Sequence, residues 1–214
     1  MASFNVHLYS GFICGAGFST LGISVYHLNP FQGASVFIMA TTGALLPDVD
    51  SDTGKPLHLM FQLISIMIPS LLLPKVIPLG DNSPEWIISY FTLSYLFLFY
   101  GVGTLIKRLT VHRGIFHSIP FSILSAELVY LLFVQSSQKL ALIAASAMFS
   151  GCILHLLLDE ANSFYFKHHL MPSLKRSKGT ALKLKSDSIV LTVCIYCLIL
   201  YVATVIFHLY PIVF

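Results

Sequence analysis

The sequence predicts an all-α fold, a polytopic transmembrane bundle of about seven helical spans. Of its 214 residues, 56% are hydrophobic and 10% are charged, whereas soluble domains carry roughly 25% charged residues. A soluble fold of this length would leave much apolar surface in water, but the lipid of a bilayer solvates such a surface. The apolar residues run continuously instead of alternating over about 10 residues, which favours helices over the strands of a transmembrane barrel.

Seven apolar segments come close to the roughly 20 residues that a helix needs to cross a bilayer. They are 4–26, 31–46, 58–73, 86–105, 118–134, 140–158 and 189–210. The second is short and rich in Gly, Ala and Thr, which predicts close packing inside the bundle. The third contains Pro69, which predicts a kink. No polar linker separates the segments, so we expect a single membrane domain over residues 1–214.

The Lys and Arg residues predict an orientation. If the loops alternate between the membrane faces, the N-terminus shares one face with loops 47–57, 106–117 and 159–188. Ten of the 12 Lys and Arg residues then lie on that face, and only Lys75 and Lys139 lie on the other. Because cytoplasmic loops carry an excess of basic residues, we expect a cytoplasmic N-terminus in a multi-pass membrane protein. The basic stretch 167–185 would lie against anionic lipid headgroups.

Four groups of chemically versatile residues fall on this same predicted face. They are His7 at the start of the first span, Asp48 and Asp50 after the second, His112, Arg113 and His117 before the fifth, and His155 with Asp159 at the end of the sixth. Each group alone has an ordinary explanation, such as an interfacial histidine, a solvated acidic loop, a headgroup anchor or a structural His–Asp hydrogen bond. Their convergence from distant parts of the chain is what favours one site.

The residue types in these groups suit a metal centre that acts on phosphate. His155 and Asp159 are four positions apart, so they lie one turn apart on one helical face. Imidazole is the commonest transition-metal ligand and also a general acid or base, and a divalent cation relieves the repulsion between carboxylates as close as Asp48 and Asp50. The planar guanidinium of Arg113 suits a phosphate or a carboxylate.

Two other features have competing interpretations. Glu127 lies in the middle of the fifth span, where an acid is either functional or protonated and hydrogen-bonded to a neighbouring helix. Cys194 and Cys197 form a C-x-x-C pattern that elsewhere indicates redox or zinc chemistry. Because the bilayer interior does not stabilise a thiolate, we expect these cysteines to be ordinary small side chains of a lipid-buried helix.

Three segments resemble the hallmark blocks of the membrane-bound metal-dependent hydrolase family, whose best-known bacterial member is a LexA-regulated inner-membrane protein. The segments are Leu46-Pro47-Asp48-Val49-Asp50, His112-Arg113-Gly114-Ile115-Phe116-His117-Ser118 and His155-Leu156-Leu157-Leu158-Asp159, and His7 matches a histidine that precedes these blocks. The resemblance spans about residues 5–160. It implies metal ligands at His7, Asp48, Asp50, His112, His117, His155 and Asp159, and a location in a bacterial inner membrane.

These observations lead us to expect a metal-dependent hydrolase that cleaves a phosphoester in a lipid or lipid-linked substrate at the cytoplasmic face. Mixed imidazole and carboxylate ligands suit Zn or Mn, and also Fe, better than Ca, and the number of candidate ligands allows one ion or two. We assign catalytic roles to His112, Arg113 and His117, with Arg113 holding the substrate phosphate. Membrane lipids are the expected partners, and no nucleic acid is expected.

The alternative function is a metal- or proton-coupled membrane transporter, and a scaffold with a structural metal is a third interpretation. Transport predicts ionisable residues spread across the membrane, whereas here they concentrate at one face and only Glu127 lies deep. The sequence contains neither the H-E-x-x-H of zinc proteases nor the G-x-S-x-G of serine hydrolases. The sequence therefore favours a different kind of membrane hydrolase.

Overall fold

A computed structural model describes residues 3–50, 55–80, 83–104, 116–162, 164–167, 171–174, 182–185 and 189–210. The described part of the chain contains seven α-helices: α1 Phe4–Ser24, α2 Pro30–Leu45, α3 Lys55–Val76, α4 Pro84–Leu96, α5 Ile119–Phe133, α6 Gln138–Ala161 and α7 Ile189–Leu209. Each corresponds to one of the seven apolar segments of the sequence. The predicted helical fold is therefore confirmed.

Five described helices are long and apolar enough to cross a membrane: Phe4–Ser24, Phe61–Leu79, Pro84–Val102, Gln138–Ala161 and Ile189–Leu209. The second of these includes a 3₁₀ turn after α3, and the third includes a π-helical turn after α4. α2 and α5 have 16 and 15 residues, which is about 24 and 22 Å of helix against a hydrocarbon core of about 30 Å. An integral membrane protein is supported, while seven spans and a cytoplasmic N-terminus stay predictions.

Local sequence explains where several helices begin. The side chain of Asn29 accepts a hydrogen bond from the Gln32 amide, the Gln32 side chain accepts one from the Asn29 amide, and Pro30 occupies the first turn of α2. The hydroxyls of Ser118 and Ser137 likewise accept from backbone amides in the first turns of α5 and α6. These caps fix where each helix begins. The cap at Ser118 also places His117 directly before the first turn of α5.

The chain divides into two compact units, Met1–Asp48 with Arg113–Phe214 and Val49–His112. In the first unit, α2 packs against α1 and α6, α6 also contacts α1 and α5, and α5 contacts α7. α2 and α6 are therefore the central helices of this unit. Half of their buried residues are Gly, Ala or Cys, among them Ala40, Ala44, Ala144 and Ala147, each 0% exposed, which lets the helix backbones approach closely.

The second unit contains α3 and α4, which contact one another. The Tyr90 hydroxyl of α4 donates to the Pro69 carbonyl of α3 at 2.9 Å, and Trp86 stacks on Tyr90 with ring centroids 5.6 Å apart. Pro69 and Pro74 both lie inside α3. The kink expected at Pro69 stays a prediction.

A short hairpin follows α6 in the first unit. Strands β1 Phe164–Lys167 and β2 Met171–Leu174 pair antiparallel. Further along the chain, the Lys183 carbonyl accepts a hydrogen bond from the Ile119 amide at 3.0 Å. The segment predicted as a basic loop therefore contains regular structure and makes a backbone contact with the start of α5.

Candidate metal centre

Five of the predicted site residues meet where helices of the first unit begin or end. His7 lies in the first turns of α1, and His155 and Asp159 lie near the end of α6. Asp48 lies in the 3₁₀ turn Leu46–Asp50 that ends α2, and His117 directly precedes the Ser118 cap of α5. We call these five residues the His–Asp cluster. The predicted convergence of four distant segments is thus found in the described part of the chain.

The His–Asp cluster is buried. His7 and His155 are 0% exposed, His117 1%, Asp159 6% and Asp48 7%. Two carboxylates in such a place are costly unless positive charge and hydrogen-bond donors compensate them. The three imidazoles, or a cation held by the cluster, can supply positive charge for that compensation.

Four ligand atoms of the cluster are separated by similar distances. Nε2 of His117 lies 3.7 Å from Oδ1 of Asp48 and 3.7 Å from Oδ2 of Asp159. Nε2 of His155 lies 3.6 Å from the same Asp48 oxygen and 3.8 Å from the same Asp159 oxygen. Charge-assisted N–H···O hydrogen bonds are about 2.7–2.9 Å long. These four separations are therefore too long for direct hydrogen bonds.

The tautomer of His155 also favours a cation between Nε2 and the carboxylates. Its Nδ1 donates to the Ala44 carbonyl at 2.7 Å, because a carbonyl oxygen can only accept. Nε2 is buried and has no hydrogen-bond partner among the described residues. In a neutral ring this atom carries a lone pair that faces two carboxylate oxygens, which is unfavourable unless a cation lies between them.

The donor set fits a divalent cation on these grounds. Two triples, His7 with Asp48 and His155, and His117 with His155 and Asp159, each have ligand atoms within 4.8 Å of one another. Tetrahedral ligands bound at about 2.0–2.2 Å lie about 3.4 Å apart, close to the 3.6–3.8 Å measured among His117, His155, Asp48 and Asp159. Ion pairs between protonated histidines and the aspartates are the metal-free alternative.

His7 has a different relation to the cluster. Its ring stacks on that of His155, with centroids 3.7 Å apart and an interplanar angle of 16°. Its Nε2 lies 3.2 Å from Oδ1 of Asp159, the oxygen opposite the one that faces His117 and His155. The ring of His117, by contrast, stands at 71° to that of His155 with centroids 5.3 Å apart.

Two glycines set the distance between the central helices and thus the position of His155. A Cβ at Gly151 of α6 would clash with the Ala40 carbonyl oxygen and would lie 2.9 Å from the Ala44 amide nitrogen. A Cβ at Gly43 of α2 would clash with the Met148 carbonyl oxygen. This close crossing brings the Ala44 carbonyl within reach of the imidazole one turn beyond Gly151.

Three predicted site residues are not part of this geometry. His112, Arg113 and the side chain of Asp50 lie outside the described residues. Glu127 lies on α5 away from the cluster, and its buried Oε2 has no hydrogen-bond partner among the described residues. The Ala44 carbonyl was not among the predicted site atoms, since a backbone oxygen leaves no mark in the sequence; the nearby glycines are the one signal that points to it.

Comparison with protein-family models gives a match to the YdjM inner membrane protein family over residues 1–213. No curated protein and no solved structure matches the chain. The matched region includes all seven described helices and every residue of the His–Asp cluster.

Proposed function

The chain belongs to the YdjM inner membrane protein family, and we propose that it is a metal-dependent hydrolase that cleaves a phosphoester in a membrane lipid or lipid-linked substrate. The sequence resemblance to membrane-bound metal-dependent hydrolases suggests the reaction class. The His–Asp cluster supplies the physical support, because its ligand types and burial suit a transition metal.

The observation that carries the proposal is the set of four nitrogen–oxygen separations of 3.6–3.8 Å around His117 and His155. If these histidines were protonated and paired directly with Asp48 and Asp159, the contacts would shorten to about 2.7–2.9 Å. A cation held jointly by the four side chains accounts for the longer spacing and balances the two carboxylates.

In this proposal each side chain has a defined task. Asp48 and Asp159 balance the charge of the cation, and His117 and His155 donate neutral nitrogen ligands. A bound divalent metal activates water and stabilises charge on phosphoryl oxygens. Arg113 binds the substrate phosphate, and His112, which is not among these four ligands, delivers a proton to the leaving oxygen.

A lipid substrate is favoured by the surface next to the cluster. Val6 and Tyr9, neighbours of His7 on α1, are 42% and 63% exposed, and Leu157 on α6 is 48% exposed. An apolar surface beside a buried polar centre lets acyl chains stay in the bilayer while the headgroup reaches the ligands. Zn or Mn is the expected metal, in accordance with the mixed imidazole and carboxylate donors.

The test is a metal and activity assay on the full chain in detergent. Bound metal is measured by mass spectrometry, and phosphate release is followed with lipid phosphoesters in mixed micelles. The double variant His155→Ala, Asp159→Ala should lose both metal and hydrolysis. The matched control is His208→Ala, an exposed histidine in the last turn of α7. Full activity in the double variant would overturn the proposal.

Transport gains little support from the described residues. Ser122 and Ser125 of α5 are buried, but their hydroxyls donate to the carbonyls of Ser118 and Phe121 one turn earlier. Both hydroxyl protons therefore stay within their own helix, and these bonds do not form a path from the cluster to Glu127. Metal uptake into proteoliposomes by the purified protein would favour the transporter over the hydrolase.

A further inference from the structure

The stacking of His7 on His155 restricts what His7 can bind. A metal ion bound to an imidazole lies close to the plane of the ring, along the lone pair of the nitrogen. The rings of His7 and His155 lie face to face at 3.7 Å with only 16° between their planes. Two such rings cannot both direct lone pairs at one ion about 2.1 Å from each nitrogen. The planes of His117 and His155 cross at 71° and allow convergence.

The two oxygens of Asp159 have different neighbours. Oδ2 faces Nε2 of His117 at 3.7 Å and Nε2 of His155 at 3.8 Å. Oδ1 lies 3.2 Å from Nε2 of His7, which is within hydrogen-bond distance, whereas the other two separations are not. A donor on Oδ1 fixes the rotation of the carboxylate and leaves Oδ2 directed at the other two histidines.

We propose that His7 is a positioning residue rather than a metal ligand. Its Nε2–H donates to Oδ1 of Asp159, and its ring holds the imidazole of His155 in place by stacking. This inference rests on the proposed metal centre, whose ligands are then His117, His155, Asp48 and Asp159. It revises the ligand set that the family resemblance implies, in which His7 binds the ion.

The variant His7→Gln distinguishes a positioning residue from a metal ligand. Its side-chain amide keeps a donor near the place of Nε2 but lacks an imidazole lone pair. Zn²⁺ affinity is measured on detergent-purified apo protein by competition with a chromophoric chelator. We expect His7→Gln to stay within about tenfold of wild type and His7→Leu to lose about 10–100-fold, the usual cost of an outer-shell partner. His155→Gln, the matched ligand change, should lose more than either.

The result that overturns the inference is a His7→Gln variant whose Zn²⁺ affinity falls as far as that of His155→Gln. If the glutamine variant is not monodisperse, X-ray absorption of Zn²⁺-loaded His7→Asn serves instead, and a count of bound imidazoles one lower than in wild type would overturn the inference. Failure of the proposed function looks different. A wild-type chain that binds Zn²⁺ but cleaves no lipid phosphoester would overturn the hydrolase and leave the role of His7 standing. A wild-type chain that binds neither Zn²⁺ nor Mn²⁺ would overturn both.

Discussion

α6 and α7 are both strongly apolar helices of the same unit, yet they have opposite surroundings. Their membrane-span windows have mean hydropathies of 2.1 and 2.7, but 56% of the α6 window is buried against 11% of the α7 window. α6 buries Gly151, Cys152 and His155, while α7 exposes large side chains such as Leu200 and Phe207, at 66% and 75%. Hydropathy alone does not separate these two environments.

The difference between the two helices lies in residue size and in polar placement. The buried residues of α6 include Ala, Gly and Cys, which let α2 approach its backbone. α7 is composed mainly of branched and aromatic residues, and only Ile195 and Val202 are buried. Lipid solvates a large apolar side chain as well as protein does, so such a helix can remain at the outside. The small-residue helix becomes the one that carries the site.

The largest expected effect comes from replacing one histidine on each helix by alanine. His155→Ala removes a proposed ligand from α6. Its Zn²⁺ affinity should fall by more than about 100-fold, because changes to groups that only orient a ligand already cost up to that much. His208→Ala removes an exposed histidine from α7 and should leave the affinity unchanged. Metal content after dialysis, measured by mass spectrometry, distinguishes them. Equal retention of metal by both variants would show that the His–Asp cluster is not the metal centre.

An intermediate effect is expected from Gly151→Ala. The added Cβ meets the Ala40 carbonyl oxygen, so α2 must move away from α6 and the Ala44 carbonyl must leave His155. Overpacking of this kind costs about 1–3 kcal/mol, and loss of the carbonyl partner should lower Zn²⁺ affinity about 10–100-fold. Thermal unfolding and metal titration in detergent measure the two effects.

The control for this change is Gly17→Ala on α1, where a Cβ would meet nothing within 4 Å. Because alanine favours helix over glycine by about 0.5–1 kcal/mol, this variant should be neutral or slightly more stable. If Gly151→Ala behaved like Gly17→Ala, the close crossing of α2 and α6 would not matter for the site.

The smallest effect is expected from a pair of leucines. Leu156 on α6 is 0% exposed and Leu200 on α7 is 66% exposed. Truncation of Leu156 to alanine leaves a cavity and should cost about 1–2 kcal/mol, less than in a soluble core because lipid competes for the same dispersion contacts. Leu200→Ala should cost close to nothing. Detergent-induced unfolding compares them, and equal losses would mean that the burial contrast has no energetic consequence.

Apolar run length was sufficient to predict most of the fold. The segment predicted at 189–210 became α7 at Ile189–Leu209, and that at 31–46 became α2 at Pro30–Leu45. The hairpin Phe164–Lys167 with Met171–Leu174 was not predicted, because strands of four residues are too short to show alternation. The π-helical turn at Phe97–Val102 likewise leaves no periodic pattern.

The site was predictable in part. The four-residue spacing of His155 and Asp159 placed them on one helical face, and the alternation of spans brought His7 and Asp48 to the same end. Sequence spacing could not predict that His7 stacks on His155 or that the Ala44 carbonyl fixes its tautomer. Both depend on the distance and rotation between helices, which are set by tertiary packing.

The place of the cluster at helix ends also bears on how the protein enters its membrane. His7 and Asp159, which contact one another, are 152 positions apart, so their contact cannot exist until α6 has been synthesised. Until then each ionisable group lies at the start or end of its own apolar segment, where water and lipid headgroups solvate it. If the cluster lies at the cytoplasmic face, as the Lys and Arg residues predict, insertion carries none of these groups through the hydrocarbon, and the buried centre forms only when the helices assemble.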